Sequence, residues 1–151
     1  MTIKEAIDKT DNLNPNQYPE EIKVDWLSRL DHQIFTDIIL THEHHLPPPR
    51  RIKLESRDNP LDIDKSKRPP FPKPEFEPYS VDDMTHQLLA PFPYDELYIA
   101  YLQMKIDEAN KESIQYNNDA VLFNSYYENY EKHYNKEHMP VNKARYNLWS
   151  R

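Results

Sequence analysis

The sequence predicts an all-α fold: a helical subunit with one long C-terminal helix or helix pair and an extended proline-rich arm. Three observations carry this reading. Ile99, Leu102, Ile106, Ala109, Ser113, Tyr116, Ala120, Phe123, Tyr127, Tyr130 and Tyr134 recur at alternating steps of three and four, and no Gly or Pro interrupts them. A second apolar stripe (Ile22, Trp26, Leu27, Leu30, Ile34, Ile38, Ile39) keeps the same helical period. Of 14 prolines, eleven lie between Leu46 and Tyr94, where each removes a backbone donor and biases its predecessor away from helix.

The elements follow in order. Thr2 with Glu5 three residues later is a capping-box pattern, so a short helix begins there with Ile3, Ala6 and Ile7 inward. Asn12-Leu13-Asn14-Pro15-Asn16 reads as its stop. Pro19 at the first position, followed by Glu20 and Glu21, starts a second helix that runs to about Thr41. Leu46-Pro47-Pro48-Pro49 ends it. The stretch Arg68-Pro69-Pro70-Phe71-Pro72-Lys73-Pro74-Glu75-Phe76 is expected to be extended and polyproline-like. Arg51-Ile52-Lys53-Leu54-Glu55 alternates as a short strand does, and a lone strand needs a partner. Ser80 with Asp83 caps another short helix, 80–89. Pro91-Phe92-Pro93 then launches a rod from Asp95 to Asn135, roughly 60 Å long if continuous. Asn117-Asn118 is its expected break, because Asn is a weak helix former. The rod is longer than a small domain covers, which points to neighbouring subunits. Four segments result: N-terminal helices (1–45), the arm (46–79), the helical core with the rod (80–139) and a basic tail (140–151).

Composition removes several function classes. There is no cysteine, so disulfides, thiolate nucleophiles and cysteine metal sites are excluded. There is no glycine, so no Gly-rich phosphate loop exists. No stretch approaches the roughly eighteen apolar residues of a membrane span. Residues 1–5 lack a signal-peptide core, so a soluble protein made in the cytoplasm is expected. Net charge is −7 but unevenly spread. Residues 50–74 hold Arg50, Arg51, Lys53, Arg57, Lys65, Lys67, Arg68 and Lys73 against Glu55, Asp58, Asp62 and Asp64. The tail adds Lys143, Arg145 and Arg151 without an acid. A basic arm and tail on an acidic body suggest pairing with an acidic protein surface; the bland alternative is charged, solvated linkers.

Little in the chain looks catalytic. His42-Glu43-His44-His45 is the one metal-like cluster, but it is not HExxH, and His at i and i+2 do not face each other on a helix. Glu20-Glu21 and Asp82-Asp83 stand at helix starts, where capping explains them. Eight tyrosines from Tyr94 to Tyr134 invite base stacking, yet the surrounding acid repels phosphate, and helix packing is favoured.

Leu88-Leu89-Ala90-Pro91-Phe92-Pro93-Tyr94-Asp95-Glu96-Leu97-Tyr98, followed by Tyr116-Asn117-Asn118, Phe123-Asn124, Tyr134-Asn135 and His138-Met139-Pro140, resembles a family of small virion proteins of tailed bacteriophages. Thr2-Ile3-Lys4-Glu5-Ala6-Ile7 and the helix with Asp25-Trp26-Leu27 look like the start of head–tail connector (adaptor) proteins of the neck. The similarity covers residues 1–43 and 86–140; segment 50–78 is longer than the family pattern, and the family's glycines are absent. The resemblance implies an all-helical subunit in a homo-oligomeric ring, commonly a dodecamer, between the portal protein and the tail or a further neck protein. DNA would pass through the ring without specific binding, and the protein would reside in the virion. An acidic body suits that passage, because like charge prevents phosphate adsorption.

The expected partner and oligomer contacts are Trp26, Arg50, Arg51, Arg68, Phe71, Phe76, Tyr79, Tyr127, Tyr130, Tyr134, Arg145 and Trp149. No catalytic residue, cofactor or metal is expected, and no membrane. A nucleic-acid-binding or assembly accessory protein using the same basic segments is the alternative reading. An enzyme with a metal at the His42 cluster is the third.

Overall fold

A computed structural model of the chain describes residues 1–42 and 75–138. Among them four α-helices form one packed unit: α1 (Ile3–Leu13), α2 (Glu20–Ile34), α3 (Glu96–Asn110) and α4 (Ser113–Glu137). The all-α expectation holds for these residues.

Helix α1 starts on the capping box read from the sequence. The Thr2 hydroxyl accepts from the Glu5 amide, and the Thr2 amide donates to the Glu5 carboxylate at 2.9 Å. Ile3, Ala6 and Ile7 are buried as expected, and Thr10 joins them by donating to the Ala6 carbonyl. The turn to α2 uses side chains where glycine is lacking: the Asn16 amide donates to Asp11 and to the Asn14 carbonyl, while its oxygen accepts from the Tyr18 amide. Pro19 is the cap of α2 rather than its first helical residue. Lys23 then reaches back to Asp11 at 2.6 Å with its side chain only 3% exposed, tying α2 to α1.

Val24, Leu27, Leu30 and Ile34 form the inner stripe of α2, and Ile38 continues it beyond the helix, whereas Ile22 is exposed. The second helix does not run regularly to Thr41. After Ile34 it widens into a π-turn, Phe35–Ile39, closed by the Leu40 amide on the Phe35 carbonyl.

Two further expectations are corrected. The helix expected over 80–89 is a single 3₁₀ turn, Val81–Asp83, although its Ser80/Asp83 capping box forms. The backbone beyond it is claimed by the N-terminus: Ile3 N–H donates to the His86 carbonyl, Lys4 N–H to Met84, and Leu88 N–H to Met1. Those partners satisfy groups a longer helix would have used internally. The rod is also not continuous. It folds back at Lys111, not at Asn117-Asn118, and α3 packs against α4 as an antiparallel hairpin, with Tyr94 beside Tyr130 and Tyr101 beside Phe123. Lys111 lies in the left-handed region (φ 59°), and the Glu112 amide reaches the Asp107 carbonyl at 2.9 Å. This is a Schellman closure built without the usual glycine. The heptad seam therefore covers itself in part, and the argument that its length demands neighbours no longer stands.

The core lies where α1, α2 and α3 meet. Ile3, Ile7, Leu27, Leu30, Ile34, Leu97, Tyr98 and Leu102 fill it, with Leu88 and Ala90 added from the segment before α3. Each such aliphatic side chain contributes about 1.5–3 kcal/mol relative to exposure. Residues 43–74 and 139–151, with the expected strand and most of the proline-rich arm, lie outside the described residues.

Candidate interaction surface

Tyr79, one of the expected contacts, belongs to a polar knot on α2. Ser28 and Asp31, three apart, interrupt its apolar stripe. Asp31 is fully buried. Its carboxylate accepts from Tyr98 Oη at 2.5 Å, Tyr79 Oη at 2.6 Å and the Leu89 amide at 3.2 Å. The Ala90 amide donates to Tyr98 Oη, and the Tyr79 amide to Ser28 Oγ. Burial pushes the Asp31 carboxyl above the usual range, against the pull of the two tyrosine hydroxyls. Burial, and then the neighbouring Asp31, hold both tyrosines well above their ordinary value. The knot fixes segment 79–90 across α2 and α3.

On its outer side the same segment makes a groove of about 340 Å³. Phe76 is the hub of its floor. It stacks on His32 at 5.3 Å, tilts against Phe35 at 5.9 Å and meets Tyr79 edge-on at 5.4 Å. The π-turn begins at Phe35 and so helps to place that ring. Glu75, Glu77 and Asp83 supply the charge of the walls.

A second cleft, about 390 Å³, opens beside the C-terminal half of α4. Tyr94, Tyr126, Asn129, Lys132, His133 and Lys136 line it. The His133 ring stacks on Tyr94 at 4.5 Å, and its Nε2 stands 3.3 Å from Glu137. Lys132 pairs with Glu128. The cleft is locally basic on an otherwise acidic body.

The expected contacts are placed differently from one another. Tyr130 is 2% exposed, inside the hairpin, with Tyr134 and Tyr94 against its ring. Tyr127 and Tyr134 are half-buried along the same seam. The Tyr127 hydroxyl is pushed up to about 12 by burial, then by Asp37 and Glu131. Tyr79 spends its hydroxyl on Asp31, and Trp26 is partly covered by Tyr18. Phe76 lies in the acidic groove. Arg50, Arg51, Arg68, Phe71, Arg145 and Trp149 lie outside the described residues.

Sequence reasoning missed Asp31, the exposed face of α4, and the basic cleft. Asp31 had a legible signal, a carboxylate inside an apolar stripe at i+4 from Leu27. On α4, Ile114 is 76% exposed and Val121 71%, seven residues apart on one face, with Leu122 beside them. At the turn end of the hairpin the Asp107 carboxyl is raised by burial and then by its neighbour Asp119.

Among the described residues no three His, Asp or Glu converge as metal ligands. The buried His42 donates Nδ1–H to the Ile38 carbonyl at 2.7 Å and packs edge-on against Tyr134. No helix among the described residues is long and apolar enough to cross a membrane. Compared with protein-family models, curated protein sequences and solved structures, the chain matches none.

Proposed function

We propose that the chain is a structural assembly subunit, and specifically a head–tail connector of a tailed phage, forming a ring between portal and tail. One observation carries the assembly reading. Helix α4 has 25 residues, yet Tyr130 is its one buried side chain, while Ile114, Val121 and Leu122 face outward. A helix half-covered by its own chain and apolar on the free face is suited to burial against a second protein. The more specific connector identity rests on the sequence resemblance, and the acidic body is compatible with a channel through which DNA slides.

The basic cleft favours a second reading, a nucleic-acid-binding accessory protein. Tyr94 and Tyr126 supply ring faces, and Lys132 and Lys136 supply charge. Salt-sensitive binding of single-stranded DNA by the free chain, lost in Lys132→Glu/Lys136→Glu, would support that reading.

The deciding measurement is the ratio of this chain to the portal protein in purified virions, by quantitative mass spectrometry. A fixed ratio near one supports a ring matched to the portal. Absence from the particle removes the connector reading and moves the nucleic-acid reading forward.

A further inference from the structure

The groove is floored by Phe35, Phe76 and Tyr79, and its walls carry three carboxylates, Glu75, Glu77 and Asp83, beside one imidazole, His86. Its floor is set before any ligand arrives, because the Tyr79 ring is held by Asp31 and the Phe76 ring by His32. Flat aromatic rings pack against proline faces, and a proline-rich stretch has little conformational entropy left to lose on docking. Carboxylates at the edge of such a floor select Lys or Arg beside the prolines, by charge and by cation–π contact.

This sequence contains such a ligand. Residues 65–73 read Lys65-Ser66-Lys67-Arg68-Pro69-Pro70-Phe71-Pro72-Lys73: four cations around three prolines and one aromatic ring, with no acid. We propose that the groove receives residues 65–73 of a second copy of the chain. For the chain's own stretch to enter the groove, the backbone would have to reverse between Lys73 and Glu75. Lys73 stands two residues before Glu75 on the same backbone, with Pro72 and Pro74 flanking it, and no glycine, Asn or Asp is there to reverse direction. A second copy meets no such restriction. The contact is heterologous, stretch to groove, so it propagates from copy to copy and closes into a ring when the rotation allows. The inference deepens the assembly reading and rests on it only for the choice of a second copy as occupant.

The first test titrates a fluorescein-labelled synthetic peptide of residues 64–75 into the full-length protein and reads anisotropy. Saturable binding that weakens with salt is expected. Glu75→Lys/Glu77→Lys in the protein, or Phe71→Ala in the peptide, should each weaken it by about tenfold or more. Glu75 and Glu77 are exposed, so an unchanged far-UV circular dichroism spectrum verifies that the variant folds. No saturable binding at low salt, or binding indifferent to both changes, overturns the proposal. The second test mixes isotopically light and heavy full-length chains and joins carboxylates to amines with a carbodiimide. Mixed light–heavy links from Lys65 or Lys67 to Glu75 or Glu77 are expected. Links confined to like-labelled chains overturn the second-copy assignment. Absence from virions would remove the connector reading and leave these links intact, whereas failure of the links would not alter virion stoichiometry.

Discussion

Helices α3 and α4 belong to one hairpin, but they are built on opposite terms. In α3, seven of 15 residues are buried, among them Leu97, Tyr98, Leu102 and Ile106. In α4, one of 25 is. Helix α3 is clasped by α1, α2 and α4, and Tyr98 ties it to Asp31. Helix α4 leans on α3 through half-buried rings (Phe123, Tyr126, Tyr127, Tyr134) and leaves Ile114 and Val121 to solvent. A tyrosine ladder suits such a position, since each ring buries area while its polar tip can stay wet. The contrast assigns fold stability to α3 and, on the assembly proposal, interaction to α4. Hydrogen exchange should accordingly be faster along α4 than along α3.

The strongest way to break the comparison is at the knot under α3. Asp31→Ala removes the acceptor of two tyrosine hydroxyls and one amide, and should destabilise the fold by about 3–4 kcal/mol in urea unfolding. A loss below about 1 kcal/mol would mean that α3 is not anchored there. Tyr130→Ala probes the one deeply buried side chain of α4. About 3 kcal/mol is expected, with exchange rising along α4 before α3.

A smaller effect of opposite sign is expected at the turn. Lys111→Gly relieves a left-handed residue that carries a Cβ, and should raise stability by about 1 kcal/mol. The Asp107/Asp119 pair adds a pH dependence. A carboxyl raised in the folded state favours the protonated native form. Its contribution is therefore fully present below the ordinary Asp value and lost as pH rises through the raised one. Asp119→Asn should stabilise the protein near neutral pH, by under about 1 kcal/mol, with a gain that shrinks toward the ordinary carboxylate range. Asp31 has the same sign, so it is the difference between variant and parent that isolates the pair.

The smallest stability effect belongs to the free face of α4. Val121→Asp should change unfolding by no more than about 0.5 kcal/mol yet abolish assembly, read by analytical ultracentrifugation with the partner present. Assembly unchanged by Val121→Asp would assign partner contact elsewhere.

The sequence by itself determined the helices. Their periods, the Thr2/Glu5 box, the acids after Pro19 and the Asn-Pro-Asn stop are local, and local hydrogen-bonding and side-chain rules place them. The seam on α4 was legible too: Phe123 packs on Tyr101 of α3, Tyr130 on Tyr94 just before α3, and Tyr134 on His42. What only tertiary structure decided was what each seam faces. A heptad encodes a sticky side but not its partner, so a rod pressed on neighbours and a hairpin pressed on itself write the same pattern. The break at Lys111 was hidden because the left-handed position is ordinarily marked by glycine or asparagine, and here a lysine holds it, closed by the Lys111 and Glu112 amides on the Glu108 and Asp107 carbonyls. The loss of helix over 84–89 was hidden for a related reason. Those backbone groups are satisfied by Met1, Ile3 and Lys4, eighty or more residues away in sequence, and by Asp31. Hydrogen bonds of that range leave no periodic trace, because the residues that close them are fixed only once the core has formed.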